Sequence, residues 1–454
     1  MKRVIFTIIC LLTINNFSMA ASNSEEVITQ KDVNELNQMS DPKSVENAAD
    51  TIEDWAYNAI SKFGVDEFGE HKGKFFFFAS QSVSLKPTDP QFGDALINAY
   101  DKAMMKLQNK YLMTRFGKII TEKIKSFYSN RSTNANEIEL PNPNIQGFIG
   151  KILKIIDKNL DVAEKKLDKE LIELGTDPAE LAKMTPKMKK DVFRDKFLKS
   201  SIQKASGSIA GLFPIQTSVA TDSTGRYVVG VIAIATAKTI QIAKDIRLQR
   251  KPLVRGKGRD VKDLLPASKD EYLSTFGVRL AYDIDGTPMI ISYGLGSYSD
   301  DGDDYIKDQL RTEAKENAIS NANAQIAEVV NGYMSIKESR TTGEEIRKYV
   351  EREMKPDSDT VEKTVKNIIK ITNNHAKSRA SMNLQGVSTV KTWRYTTDKG
   401  VKFVGVVRVW RYSTLKAIKD FNSGKYHSKK RKSKKHTYKE SLKQSKTVND
   451  VDDF

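Results

Sequence analysis

Carboxylates that could bind a cation cluster at residues 300–304, which read Asp-Asp-Gly-Asp-Asp. Carboxylate oxygens are ligands that Ca²⁺ prefers in proteins. The spacing is not that of an EF-hand loop, and no glutamate follows at the position that would complete one. A helical pattern begins directly after this run, and acidic side chains are stabilised at the positive end of a helix dipole. We therefore predict a helix start here rather than a metal site.

A second acidic group, Asp283-Ile284-Asp285-Gly286-Thr287, follows an apolar stretch at 278–282. These five residues resemble the first motif of the haloacid-dehalogenase phosphatases. The resemblance implies that Asp283 is a nucleophile, that Asp285 is an acid/base group and that magnesium is bound nearby. It defines one functional alternative, a metal-dependent phosphatase using Asp283 and Asp285.

The surroundings of this motif favour a structural interpretation. Pro288 and a second apolar stretch at 289–293 follow at once, so Asp285-Gly286 is predicted to be a hairpin turn. The phosphatase family also needs a doubly wound sheet, and the sequence shows no βαβ alternation. Asp303-Asp304 follow too closely to supply that family's metal-binding pair. The four histidines show no zinc spacing, and no phosphate-cradling or nucleophile motif occurs. We expect no cofactor, no metal and no enzymatic activity.

The first twenty residues have the pattern of an export signal. Lys2 and Arg3 precede an apolar core at 4–14 that is too short to span a bilayer, and Ser18-Met19-Ala20 supplies the small residues of a cleavage site. We predict cleavage near Ala20 and a periplasmic or secreted protein; an uncleaved anchor is the alternative. The only cysteine lies inside the apolar core, too early for a lipid-attachment site, so we expect no disulfide in the mature chain. No later stretch is apolar for long enough to cross a membrane, so we also expect no transmembrane segment there.

The charge balance favours anionic partners. The chain carries 74 basic and 58 acidic residues, a net charge of +16, and such a field attracts anionic polymers or membrane surfaces. A lysine-rich surface without a ligand is the alternative interpretation. The basic tail at 423–454 is predicted to be disordered, and its candidate anion-binding residues are Lys429, Lys430, Arg431, Lys432, Lys434 and Lys435.

An internal duplication is the strongest pattern in the sequence. Residues 211–246 align without a gap to 386–421, with about ten identities in 36 positions. Each copy is predicted to be strand, turn, strand and helix. Gly225 and Gly400 are expected in the turns, where glycine adopts a positive φ. Gly230 and Gly405 are expected within a strand, at a bulge or under a closely packed helix.

The segments upstream of each copy also match in pattern. A strand at 74–85 precedes a long helix whose apolar residues recur every four positions, and a strand at 288–298 precedes a similar alanine-rich helix at 303–333. We therefore predict an α+β fold with two repeated modules, each a small antiparallel sheet packed on a long helix, with helical insertions. The predicted organisation is a signal peptide (1–20), a polar N-terminal segment and helix (21–70), module 1 (71–250) with a lysine-rich helical hairpin inserted at 130–205, a basic linker (251–270), module 2 (271–422) and the basic tail (423–454).

The export signal, strand, alanine-rich helix and closing hairpin together resemble the surface-lipoprotein domain of flagellar outer-membrane ring proteins and related envelope proteins. The resemblance covers 74–128 with 205–246, and 288–336 with 380–421. It implies a non-enzymatic envelope component that assembles with itself or with a larger machine through protein–protein contacts. The missing lipid-attachment cysteine departs from that family. The first functional hypothesis is thus an exported structural or assembly protein; the second is a binder of anionic polymer or membrane surface through the basic tail and the helical insert.

Overall fold

The computed structural model describes the chain between Asn47 and Gly424, in the ranges 47–128, 150–151, 153–154, 164–206, 211–299, 302–331, 348–357, 359–361, 363–371, 385–397 and 400–424. The predicted leader, most of the polar segment after it and the six tail cations lie outside these ranges. None of the described helices is long and apolar enough to cross a membrane.

The first module contains one four-stranded antiparallel sheet in the order β1-β2-β4-β3. Its first helix begins behind Asn47, whose side chain accepts a hydrogen bond from the Ala49 N–H at 3.0 Å. In chain order the elements are α1 (Ala48–Ser61), β1 (Gly69–His71), β2 (Lys74–Ser82), α2 (Phe92–Tyr128), α3 (Glu164–Glu173), α4 (Pro178–Leu181), α5 (Pro186–Ser206), β3 (Leu212–Thr221), β4 (Tyr227–Ala235) and α6 (Ala237–Arg247).

The second module repeats this plan with a sheet in the order β5-β6-β8-β7. A 3₁₀ turn (Val261–Leu264) precedes it, and residues 348–353, 359–361 and 363–371 are helical. Its elements are α7 (Lys269–Ser274), β5 (Gly277–Tyr282), β6 (Pro288–Tyr298), α8 (Asp304–Asn331), β7 (Val387–Thr396), β8 (Lys402–Arg411) and α9 (Tyr412–Asn422).

The duplication extends to local irregularities of the backbone. The register of β3 against β4 shifts at Ile215, and that of β7 against β8 shifts at Val390. These two residues occupy the same position in the gapless alignment of the repeat. A β-bulge inserts one extra residue and bends its strand, so both hairpins bend at the same place. The predicted α+β fold with two repeated modules is confirmed.

Helix α2 is packed between the two sheets. On β2, Phe75 and Phe77 face α2, whereas Phe76 faces α1, as expected for side chains that alternate across a sheet. On β6, Ile291 belongs to the core around α2, whereas the Ser292 hydroxyl donates to a carbonyl of α8 at 2.8 Å. The layers therefore follow the order α1, first sheet, α2, second sheet, α8.

The inserts of both modules form a second, helical core. The described part of the first insert buries Leu167, Leu171 and Phe197 against the C-terminal half of α2, together with Val365 and Ile368 of the second insert. Within the first insert, α4 begins behind Asp177, whose side chain accepts a hydrogen bond from the Ala179 N–H. The remaining apolar positions of the predicted hairpin, Ile152, Ile155, Ile156 and Leu160, lie outside the described residues.

The segment expected to be a basic linker is partly buried at the junction of the modules. Val261 of this segment belongs to the core around α2, together with Tyr272 and Phe276 just after it. Arg279 at the start of β5 donates to the backbone carbonyls of Phe276 and Val278 at 2.8 and 2.9 Å, and to the Thr217 hydroxyl of β3 at 2.7 Å. Burial lowers the pKa of the Arg279 guanidinium. The second module thus begins against the edge strand of the first sheet.

Candidate functional site: a lysine-lined cavity

A cavity of about 300 Å³ lies between α2, the end of β2 and the helical residues 363–371. Four of the described residues that line it are lysines, two are carboxamides and two are apolar; none of them is acidic. They are Gln81, Lys102, Met105, Lys106, Asn109, Lys366, Ile369 and Lys370.

Two of the lysines lie on the narrow stripe of α2 that the sheets leave uncovered. Within residues 92–107, the exposed side chains are those of Asn98, Lys102 and Lys106. These positions are four residues apart and therefore share one face of the helix. Since sheets cover α2 on both sides, this face is where polar side chains of the helix reach solvent.

The other two lysines come from the insert of the second module. In residues 363–371, Val365 and Ile369 are buried, whereas Lys366 and Lys370 are exposed. The buried side chains anchor the segment on α2 within the helical core. The two lysines are again four residues apart, so each helix presents an i, i+4 lysine pair to the cavity.

The short first strand of the sheet explains why lysines of α2 turn towards β2. Strand β1 pairs only with residues 74–76 of β2, so the later carbonyls of β2 need other donors. Lys106 Nζ donates to the Ser80 carbonyl and Lys110 Nζ to the Phe78 carbonyl, both at 2.8 Å. The ammonium of Lys106 is therefore held at the rim of the cavity.

The electrostatic environment of this region is positive. Burial lowers the pKa of Lys110, and the charge of Lys106 lowers it further, while Glu53 acts in the opposite direction. Like charges four residues apart on a helix also repel each other. Asn109 adds a carboxamide whose Oδ1 is buried and has no hydrogen-bond partner among the described residues. The cavity thus combines cationic donors with a partly buried carboxamide.

The Asp283–Thr287 motif forms the predicted hairpin turn between β5 and β6. Gly286 N–H donates to the Asp283 carbonyl at 2.7 Å, and Gly286 has a φ of +77°. The Asp285 carboxylate accepts from the N–H and the hydroxyl of Thr287 at 2.8 and 2.6 Å. Partial burial opposes ionisation of Asp285, but the hydrogen bonds from Thr287 outweigh it and lower the pKa. Arg411 Nε lies 3.4 Å from Asp283.

The repeat glycines occupy two kinds of position. Gly225 and Gly400 end the tight turns with φ values of +77° and +82°. Gly230 lies beneath Ile52 and Trp55 of α1, so a Cβ at this position would clash with that helix. Gly405 pairs with Trp393 across the hairpin, and the Trp393 indole lies over it.

The other predicted site residues divide between described and undescribed parts of the chain. Asp303 accepts from the Ile306 N–H at 2.9 Å at the start of α8, whereas Asp300 and Asp301 lie outside the described residues. Lys429, Lys430, Arg431, Lys432, Lys434 and Lys435 also lie outside them. Within the described chain, no group of three or more His, Cys, Asp or Glu residues is arranged to hold a metal ion.

The sequence analysis did not predict the cavity, although the lysine pairs that line it are visible in the sequence. Lys102 with Lys106 and Lys366 with Lys370 each form an i, i+4 pair beside buried apolar residues. Such pairs are also common on solvated helices, and nothing in the sequence indicates that these two helices, from different modules, meet. The anion-binding prediction was made for the tail instead, because its six cations are clustered within 429–435.

The fold and the cavity define a two-module α+β protein with a cationic cavity between its helices. A family model described as a domain of unknown function (DUF6844) matches residues 152–248, which include α3 to α6 and the hairpin of the first module. The crystal structure of the hypothetical protein FTT1539c from Francisella tularensis is similar, with a TM-score of 0.51 and 23% identity, covering 86% of this chain and 100% of that chain. This likeness shows the fold. No curated protein matches the chain.

Proposed function

We propose that the protein is a non-enzymatic, exported binding protein of the cell envelope whose lysine-lined cavity holds an anionic ligand. The observation that supports this is that four lysines, and no described carboxylate, line one cavity. A ligand with two or more negative charges would relieve the repulsion within both lysine pairs at once. Charged oxygens also form the stronger class of hydrogen bonds with ammonium groups.

The test is isothermal titration calorimetry with inorganic tripolyphosphate, using the chain from Ala21 onwards. The double variant Lys102→Gln, Lys366→Gln removes one charge from each helix of the cavity. We expect its affinity to fall about tenfold or more, since two charge-assisted contacts are lost. Raising the salt concentration should weaken binding to the parent protein more than to the variant.

The matched control is Lys238→Gln, Lys315→Gln, which removes the same net charge from exposed positions on α6 and α8. This variant should bind tripolyphosphate like the parent protein. Equal weakening in both double variants would mean that only overall charge attracts the probe, and the cavity proposal would fail. Replacing the six tail cations by glutamine in the same chain measures the contribution of the tail separately.

A structural or assembly role through protein–protein contacts or self-association is the second candidate. It is supported by the way the described parts of both inserts share one helical core at the end of α2. The resemblance of the modules to the flagellar ring-protein domain agrees with this role. Light scattering after size-exclusion chromatography would detect self-association, and a strict monomer at high concentration would argue against it. Cell fractionation tests the proposed periplasmic or secreted location.

A further inference from the structure

Large apolar side chains are exposed on three neighbouring segments: the end of α6 with the residues after it, the β5–β6 turn, and α9. The relative exposures are 70% for Leu253, 72% for Ile284 and 83% for Phe421. Leu248 is a fourth, at 43%. Single exposed apolar residues are ordinary on protein surfaces, whereas a group of them marks an interaction site. We call these four residues the apolar face.

Hydrogen bonds hold the three segments together. The segment after α6 meets the β5–β6 turn where Arg255 Nη1 donates to the Asp285 carbonyl and the Gly256 N–H donates to the Gly286 carbonyl, both at 3.1 Å. Helix α9 meets the same segment where Lys419 Nζ donates to the Gln249 carbonyl at 2.6 Å. The exposed side chains therefore belong to one fixed region rather than to independent loops.

The same segments carry more cationic than acidic side chains. Arg250 is paired with the buried Asp245 at 2.6 Å, which fixes the course of the segment after α6, and the Leu253 N–H donates to the same carboxylate at 2.8 Å. Further cations on these segments are Lys251, Arg255, Lys257, Arg259, Lys416 and Lys419. The other carboxylates there are Asp283, Asp285 and Asp420, of which Asp283 is paired with Arg411 at 3.4 Å. In sequence, the tail (423–454) begins two residues after Phe421, and its six clustered cations are at 429–435.

We infer that the apolar face docks on the surface of an anionic lipid bilayer. Protruding apolar side chains among cations match the two layers of such a surface: the apolar groups enter the acyl boundary and the cations remain at the headgroups. Each cation near an anionic bilayer contributes to binding. This site shares no residue with the lysine-lined cavity, so either proposal can fail alone.

The test is co-sedimentation of the chain from Ala21 onwards with vesicles of phosphatidylglycerol and phosphatidylcholine in a 30:70 ratio. Starting at Ala21 removes the apolar leader, which would itself insert into lipid. The triple variant Leu253→Ser, Ile284→Ser, Phe421→Ser should lower the partition coefficient about tenfold, since three apolar side chains lose burial in the bilayer. The matched control, Ile172→Ser, Met188→Ser, Tyr305→Ser, replaces side chains that are also exposed and should bind like the parent protein.

A second measurement reads insertion directly. In Phe421→Trp the new indole is exposed, and its fluorescence emission should shift to the blue on addition of the 30:70 vesicles. Pure phosphatidylcholine vesicles should bind much less. Three results would overturn the proposal: no binding of the parent protein to the anionic vesicles, unchanged binding of the triple variant, or complete loss of binding when only the six tail cations are replaced by glutamine. The last would assign binding to tail electrostatics alone, and an acidic protein partner would then be the remaining occupant of the face.

Discussion

At the scale of single residues, the paired glycines show what a repeat pattern can predict. The sequence predicted that Gly230 and Gly405 lie within strands, at a bulge or under a closely packed helix, and at Gly230 helix α1 does lie close. At Gly405 the neighbour is instead the Trp393 indole of the paired strand. In the first copy, the residue aligned with Trp393 is Ser218, which pairs with Gly230 and has a much smaller side chain. The need for a small residue is therefore readable from sequence, but the group that requires it depends on packing that differs between the copies.

Gly405→Ala should destabilise the protein by about 2 kcal/mol, because the added Cβ forces the Trp393 indole out of its position in a packed core. Urea denaturation measures the change in the free energy of unfolding. Combining it with Trp393→Leu should recover part of the loss, since the smaller side chain leaves room. A purely additive double variant would show that the indole is not the group displaced.

The free energy of unfolding should depend on pH through Lys123, whose pKa differs between the folded and unfolded chain. Burial lowers the pKa of its ammonium to about 8 from the ordinary 10.5, and Lys204 lowers it further against the opposing charge of Glu170. Between these two values the unfolded chain binds the proton and the folded chain does not, so stability rises with pH across this window. Below pH 8 both states are protonated, and the folded state carries the cost of the buried charge.

Lys123→Met should therefore raise stability at pH 7 by about 1 kcal/mol, after allowing for the hydrogen bond to Ser200 that it also removes. Urea denaturation at pH 7 and pH 9.5 should show the rise with pH in the parent protein and a smaller rise in the variant. Lys187→Met, at an exposed position, is the control for a general effect of lost charge.

At the scale of elements, the sequence predicted the strands and long helices well and predicted one face of α2 correctly. Residues Ala95, Ala99, Ala103, Leu107 and Tyr111 are buried as their spacing indicates. The second buried face, with Leu96, Tyr100 and Met104, was not recognised. Its residues are apolar too, but a face is recognised by contrast with polar positions, and a helix covered by sheets on both sides offers little contrast.

Phe92 at the start of α2 connects the two sheets. Its ring lies 5.0 Å from that of Tyr227 on β4 and 6.5 Å from that of Phe403 on β8. Phe92→Ala should destabilise the protein by about 3–4 kcal/mol through lost burial and the resulting cavity. Hydrogen exchange should show weaker protection in both β4 and β8. Loss of protection in only one of these strands would mean that the ring does not couple the sheets.

At the scale of the whole molecule, α8 is the outer layer at one end of the stack formed by the described helices and sheets. Helix α2 is covered on both sides, whereas Thr312, Glu313, Glu316 and Ser320 on α8 are exposed and polar. Repeat proteins need such polar outer faces at their ends to remain soluble. The sequence predicted two modules, but it did not show that the second sheet depends on a helix of the first.

The two modules should therefore unfold in one transition, and the second module should not fold when it is expressed alone. Expressed alone, residues 251–424 would expose the face of the second sheet that α2 covers, including Met289 and Ile291. We expect aggregation or a molten state, without dispersed amide resonances in NMR spectra, whereas the chain from Ala21 should show one cooperative transition by calorimetry. A stable, well-dispersed spectrum for the isolated second module would contradict the shared role of α2.

The order of the strands also constrains how fast the chain can fold. Phe75 of β2 pairs with Ala235 and Ser82 pairs with Val228, so these partners are 160 and 146 residues apart. In the second sheet Met289 pairs with Arg411, 122 residues later. Non-local pairing carries a loop-closure cost before it brings any stabilisation, and such topologies fold slowly. Neither sheet can close until the strand after its helical insert is available, so the length of each insert sets how long the earlier strands of that sheet wait for their partner during synthesis.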